Sequence, residues 1–254
     1  MRLSDGILPN TEKWHEVRLK RLTASYLHKI FISGKSKSEL VGIGGMGYIH
    51  TKIGEMLTNK SESEVPEGIP DVERGQILEP EARGIYSEIT DQFVEESLFF
   101  EYNKICGGTN DGLICYEGTD EIKSVLEIKC PRAHKHIKAL KIKAAVELKQ
   151  LDPQYWHQLQ ANILFAEAEY GDFVSYNEDI ILPDARIKIV RVYPDIEWRK
   201  DFKERINWVA DYINETIEQI LLTGEHNLGY RNQKSPKEVE KLQSAIENIE
   251  KIAK

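Results

Sequence analysis

Two short segments carry the residues best suited to chemistry: Asn110-Asp111-Gly112-Leu113-Ile114 and Leu126-Glu127-Ile128-Lys129-Cys130-Pro131. Asp111 stands at a turn entering an apolar run. Glu127 and Lys129 are two apart in a run whose other members are apolar. On a strand both point to one face, while Leu126, Ile128 and Cys130 point to the other. Charges inside such a strand are costly to bury unless they are paired or bound to a metal. Two carboxylates offer hard oxygen ligands of the kind Mg²⁺ takes. Magnesium so held polarises a phosphate ester and helps ionise a bound water. A lysine beside it can hold that water and stabilise developing negative charge. Glu79, on the preceding helix, is placed to anchor a metal-bound water or a second ion. The same residues read without chemistry are a structural Glu–Lys pair on a sheet face.

The elements that must position these residues follow from periodicity and punctuation. Thr11 or Asn10 caps a first helix beginning at Glu12-Lys13-Trp14. Thr23-Ala24-Ser25 opens a second helix through Ile30 and Phe31. Residues 33–38 are a polar loop, residues 42–47 are glycine-rich, and residues 48–57 have a helical pattern. After a loop over residues 59–70, a helix covers residues 71–89, with Pro80 as a kink or a fresh start. Residues 93–100, 112–116 and 124–130 read as strands, the last ended by Pro131. Residues 133–148 and 154–168 read as helices, 173–176 and 187–193 as strands, and 195–222 as a long helix. Residues 235–254 form a charged amphipathic helix with Val239, Leu242, Ile246 and Ile249 on one side. This order predicts an α/β (α+β) domain with a central mixed β-sheet flanked by helices.

The chain of 254 residues suits one large domain, or one domain with an extension. No apolar run approaches the ~20 residues that cross a bilayer, and Met1-Arg2-Leu3-Ser4-Asp5 lacks the apolar core of a signal peptide. The expectation is a cytoplasmic protein without a membrane partner. Cys106, Cys115 and Cys130 include no C-x-x-C pair, so neither a disulfide framework nor a zinc ribbon is suggested, and small buried thiols are expected. The net charge of −8 argues against a protein that is basic all over, but its distribution is uneven. Residues 129–149 carry Lys129, Arg132, Lys135, Lys138, Lys141, Lys143 and Lys149 against Glu147 alone, whereas residues 55–101 are strongly acidic. A basic stripe on an acidic body can hold a polyanion locally; a solvated helix face is the other reading.

Other patterns carry less. Gly42-Ile43-Gly44-Gly45-Met46-Gly47 fits G-x-G-x-x-G, but no hydrophobic strand precedes it, so a dinucleotide fold is not expected. Ser33-Gly34-Lys35-Ser36 ends like a phosphate-binding loop, but its required first glycine falls on Lys29, which argues against ATP. His134 and His136, in a lysine-rich helix, are expected to face solvent or phosphate. Trp156 and Trp208 are expected in the core.

Taken together, the ordered motifs resemble the phage lambda exonuclease family (YqaJ-type viral recombinases) of the PD-(D/E)xK nuclease superfamily. Trp14-His15-Glu16-Val17-Arg18-Leu19 with Leu22-Thr23-Ala24-Ser25 resembles its W-x-x-x-R and T-A-S. Arg74-Gly75 with Glu79, Ala82 and Arg83 resembles its G-x-x-x-E-x-x-A-R helix. Thr109-Asn110-Asp111-Gly112-Leu113 resembles its S-P-D-G-L turn, Leu126 to Pro131 its L-E-x-K-C-P strand, and Tyr155-Trp156-His157-Gln158-Leu159-Gln160 its Y-x-x-Q-x-Q helix. The resemblance runs over roughly residues 12–220.

The resemblance implies a restriction-endonuclease-like core and a role for each residue. Asp111 and Glu127, with the Ile128 carbonyl, would ligate Mg²⁺, Mn²⁺ would substitute, and Glu79 would sit beside the metals. Lys129 would position the attacking water. Arg18, Ser25 and Thr109 would grip the 5′-phosphate of a DNA end. Gln158 would orient the site, supported by Tyr155. Such a protein would digest one strand of linear duplex DNA from its 5′ end and leave 3′ single-stranded tails for recombination. It would form a homo-oligomer, a trimeric ring, and work with a single-strand annealing protein in a bacterial host carrying phage or prophage. Residues 1–225 would be the nuclease domain and 226–254 a charged helical extension. Asn110 departs from the family's proline but also favours turns, and Thr109 keeps the hydroxyl of the family's serine. Two alternatives remain at this point: another nuclease of the superfamily, either an endonuclease or a Cas4- or RecB-like enzyme, and a non-catalytic DNA-end-binding protein.

Overall fold

The structure, a computed structural model, describes residues 1–36, 39–62 and 70–228. α1 (Glu12–Leu19) starts at Thr11, whose hydroxyl accepts the Trp14 N–H at 3.2 Å. β1 (Leu22–Thr23) runs into a 3₁₀ helix (Ala24–Phe31), followed by α2 (Ile43–Thr58) and α3 (Pro70–Thr90). Then come β2 (Phe99–Asn103), β3 (Cys106–Thr109), β4 (Gly112–Cys115) and β5 (Ile122–Lys129). α4 (Ala133–Leu140), α5 (Ala145–Leu151) and α6 (Pro153–Phe165) lead to β6 (Tyr170–Tyr176), β7 (Ile187–Val192) and the long α7 (Ile196–Leu228).

The expected mixed-sheet core flanked by helices is present, built as two mixed sheets. One has the order β1-β3-β2, with β1 parallel and β2 antiparallel to β3. The other has the order β4-β5-β6-β7, in which only the β5–β6 pair is parallel, with α4 to α6 as the crossover. The chain leaves the first sheet at Asn110. Its buried amide donates to the Leu98 carbonyl at 3.0 Å, and the Asp111 N–H bonds the Leu126 carbonyl of the second sheet at 2.9 Å. Asn110 thus holds the turn with hydrogen bonds where a proline would hold it by its ring.

Both faces of the second sheet are covered, and β5 alternates between them. Val125 faces the main core with Leu159, Ile163 and Phe173, while Leu126 and Ile128 meet Leu78, Ala82 and Tyr86 of α3. Glu127 and Lys129 therefore share the face opposite Leu126 and Ile128, as period-2 alternation requires. Cys106 and Cys130 are buried and Cys115 is half-buried, all as free thiols.

Several elements differ from expectation. α2 begins at Ile43, inside the glycine-rich stretch. A Cβ on Gly45 would lie 2.6 Å from the Lys29 carbonyl, so glycine lets α2 press against the 3₁₀ helix, and packing outweighs weak helix propensity. The helix expected over residues 133–148 is two: Ala144 is extended, and the Glu147 carboxylate accepts the Lys143 N–H at 2.6 Å, starting α5 afresh. α3 continues through Pro80. Of the strand expected over residues 93–100, only the end is a strand, and Glu95 forms an isolated bridge to Leu113. His136 faces neither solvent nor phosphate. It is fully buried, its Nε2 donating to the Ala185 carbonyl and its Nδ1 accepting the Ser175 hydroxyl, each at 2.8 Å. It falls on the inward side of α4 with Ala139, where both ring nitrogens find partners. Trp156 is in the core as expected, and Trp208 packs against it, stacked on Tyr212. The helix expected over residues 235–254 lies outside the described residues. Among the described residues, no helix is long and apolar enough to cross a membrane.

Candidate active site

β4 and β5 place Asp111, Glu127 and Lys129 together at one end of the second sheet. Asp111 precedes β4, and its Oδ2 accepts the Ile128 N–H at 2.7 Å, which fixes the carboxylate beside β5. The Lys129 ammonium contacts Glu127 Oε1 and lies 3.6 Å from Asp111 Oδ2, bridging the two carboxylates. Glu127 is fully buried, whereas the Lys129 side chain is 24 % exposed and Asp111 20 %. Glu127 Oε1 accepts no well-formed hydrogen bond; the ammonium is its contact. Burial, then the Asp111 carboxylate, pushes the Glu127 pKa up against the pull of Lys129. Burial alone would lower the Lys129 pKa, but Glu127 and Asp111 reverse that and raise it.

A cleft of about 330 Å³ opens over this group, lined by Glu79, Asp111, Ile128, Lys129, Lys135 and Tyr155 among others. Glu79 reaches it from α3, with Oε1 held at 2.7 Å by Arg83, whose same nitrogen donates to the Asp111 carbonyl at 2.7 Å. Burial and then Asp111 raise the Glu79 pKa. Tyr155 lies under Lys129, ammonium to ring centroid 5.4 Å. Three carboxylates thus meet two cations. Among the described residues, no three His, Cys, Asp or Glu side chains are gathered closely enough to hold an ion by themselves.

A second cavity, of about 1000 Å³, holds Arg18, with Trp14, Tyr26, Lys29, Tyr48 and Lys52 in its walls. The Arg18 guanidinium lies over the Trp14 ring at 4.0 Å. Burial lowers its pKa, opposed by Tyr48 and Tyr26. Ser25 Oγ is 3.4 Å from Thr23 Oγ1, and the Thr23 N–H donates to the Tyr48 hydroxyl at 2.8 Å. Trp14 ties the wall of this cavity to the end of β3, its Nε1 donating to Thr109 Oγ1 at 3.1 Å, two residues before Asp111.

Residues 13–169 match the model of the YqaJ-like viral recombinase domain. The chain belongs to that family. No curated protein matches it. Among solved structures it is similar to an alkaline exonuclease from Laribacter hongkongensis, at 23 % identity over 85 % of this chain and 99 % of that one, TM-score 0.68. The same exonuclease in complex with dAMP gives 23 % identity, the same coverage and a TM-score of 0.69. A phage-related exonuclease from Haemophilus somnus 129PT gives 18 % identity over 79 % and 96 % of the two chains, TM-score 0.63. At these identities the likeness establishes the fold.

In this YqaJ-like chain, two side chains at the site went unassigned from the sequence. Asn162 Nδ2 donates to Glu127 Oε2 at 3.1 Å and to the Thr109 carbonyl at 3.2 Å, tying α6 to β3 and β5 at once. Its only local signal is a position four residues after Gln158, on the same helix face. Trp14 is the other, through its bond to Thr109. Gln158 is buried in α6. Gln160 of the same motif instead bonds the Tyr193 carbonyl and the Asp195 N–H, which secures the start of α7.

Proposed function

We propose that this protein is a divalent-metal-dependent exonuclease that digests one strand of linear duplex DNA from a 5′-phosphorylated end. One observation carries the reading: Asp111 and Lys129 line a cleft with Glu127 buried against the Lys129 ammonium, and a hydrogen bond from Trp14, in the wall of the Arg18 cavity, reaches Thr109, two residues before Asp111. Membership of a viral recombinase family and the alkaline exonuclease fold support it.

The donors fit a hard divalent cation. Asp111, Glu127 and the Ile128 carbonyl offer oxygens only, and Glu127 Oε1 is buried with the Lys129 ammonium as its contact. Mg²⁺, or Mn²⁺ in its place, would supply Lewis-acid polarisation of the scissile phosphate and acidify a bound water. Lys129 would hold the attacking water and stabilise the charge that develops on the phosphoryl oxygens. Glu79, braced by Arg83, would accept a hydrogen bond from water at the cleft wall. Gln158 and Tyr155 would orient the site from α6. Arg18 suits a terminal phosphate, since a guanidinium bonds phosphate in a fork and the Trp14 ring fixes its plane. Ser25 and Thr109 would add hydroxyl contacts. The product would be a 3′ single-stranded tail for an annealing partner, and a trimeric ring around the DNA would keep the enzyme on its substrate.

The test is incubation with Mg²⁺ and linear duplex DNA bearing 5′-phosphate or 5′-hydroxyl ends, beside a closed circle and an EDTA control. Loss of one strand from 5′-phosphorylated linear DNA, with the circle intact, supports the reading. Nicking of the circle would replace it with an endonuclease on the same residues, and binding without cutting would replace it with an end-binding protein.

A further inference from the structure

α4 and the turn that follows it present a basic face that the reaction chemistry does not use. Residues 131–146 contain no Asp or Glu, and Lys135, Lys138, Lys141 and Lys143 are all exposed. Among the described residues, ion pairs engage Lys129 and Lys149 at the two ends of the region but none of these four. The roll of α4 is set from below. His136 is bonded at both ring nitrogens, and Ala139 and Ile142 are buried, so the lysines are turned outward. Neighbouring like charges repel, and nothing in the packing requires them. On a chain of net charge −8 such a face is complementary to a polyanion.

Its position makes the polyanion specific. Lys135 and His134 line the cleft that contains Asp111 and Lys129. α4 packs on β6 and β7, to one side of β5 in the sheet order, whereas Trp14 in the wall of the Arg18 cavity bonds Thr109, which leads into Asp111 and β4 on the other side of β5. The reaction centre lies between the two. Lys135 and Lys138 are both on α4, about 4.5 Å apart along its axis, a little more than one nucleotide step of a strand.

We infer that the α4 lysines hold the sugar-phosphate backbone on the far side of the reaction centre from Arg18, so that the undigested continuation of the DNA leaves the cleft over Lys135 and Lys138. This rests on the proposed nuclease reading. The protein with Ca²⁺ in place of Mg²⁺ is titrated with a 5′-phosphorylated duplex of about thirty base pairs at several salt concentrations. Lys135→Gln/Lys138→Gln is compared with Lys200→Gln/Lys203→Gln, an equal charge loss on exposed positions of α7. The α4 variant is expected to bind roughly tenfold or more weakly at physiological salt, and its log–log salt slope should be shallower by about two; the α7 variant should change little. Equal slopes in all three proteins, or equal losses in both variants, overturn the inference while leaving the nuclease reading intact. Unmodified protein that neither binds nor cuts the duplex removes that reading itself.

Discussion

Neighbouring strands of the second sheet each bury a carboxylate completely, and they treat it in opposite ways. Asp172 on β6 accepts from the Tyr86 hydroxyl at 2.7 Å and from Arg191 at 3.0 and 2.9 Å, so both of its oxygens are satisfied. Glu127 on β5 has Asn162 on one oxygen and only the Lys129 ammonium against the other, with Asp111 close by. A buried carboxylate with a complete set of donors is a structural pin, here fastening α3 and β7 to β6. A buried carboxylate that shares one part-exposed ammonium with a second carboxylate has its pKa raised by burial and by that neighbour, and such groups cluster where a ligand is bound or a reaction is run. The difference separates a carboxylate fully braced by donors from one shared with a second carboxylate around a single cation, within one sheet.

The comparison breaks first at Lys129. Lys129→Ala is expected to reduce single-turnover cleavage by about 10³-fold or more, while equilibrium binding of DNA ends stays within a few fold. Near-normal cleavage by this variant would dissolve the contrast. On the structural side, Asp172→Asn should cost about 2–3 kcal/mol in chemical denaturation, less than a fully buried pair because Arg191 is half-exposed, with activity per folded molecule unchanged. A selective loss of activity there would place Asp172 in the reaction.

Asn162 sharpens the contrast, because it is the hydrogen-bond donor Glu127 does have. Asn162→Ala should destabilise the fold by about 1–2 kcal/mol through loss of that bond. It should also raise the Mg²⁺ concentration needed for half-maximal cleavage, since Glu127 would be less firmly aimed. A loss of stability with an unchanged metal requirement would make Asn162 purely structural. The smallest effect concerns a third buried polar contact. Trp198 Nε1 donates to His157 Nδ1 at 2.8 Å, and burial pushes the His157 pKa down to about 4. The unfolded chain then binds the proton first, so stability is complete above about pH 6.5 and is lost as pH falls toward 4. Between pH 7 and 5.5 the loss is roughly 1 kcal/mol, read as a shift in urea midpoint. His157→Gln should remove that part of the acid sensitivity.

Asp111, Glu127 and Lys129 were legible because their geometry is local. A two-residue repeat on a strand and an Asp-Gly turn fix which way those side chains point before any packing is known. Arg18 needed the wider pattern of motifs, since alone it reads as a surface arginine. Asn162 and the Trp14–Thr109 bond were not legible, because each joins residues far apart in the chain: Asn162 lies 35 residues from Glu127 and Trp14 lies 95 from Thr109. The lysines of α4 were visible as a basic stripe, but their relation to the cleft was not.

By itself the sequence determined strands β4 to β7 and most of the helices, the shared face of Glu127 and Lys129 and the uneven distribution of charge, all consequences of backbone periodicity and side-chain chemistry within a few residues. Only the tertiary structure decided that the sheet is two sheets meeting at Asn110, that α2 starts among glycines and that His136 turns inward. It alone set Glu127 and Asp111 to share the Lys129 ammonium while Asp172 is braced by Tyr86 and Arg191. Those outcomes depend on which distant groups arrive opposite one another when the core closes, and no local pattern encodes that arrival.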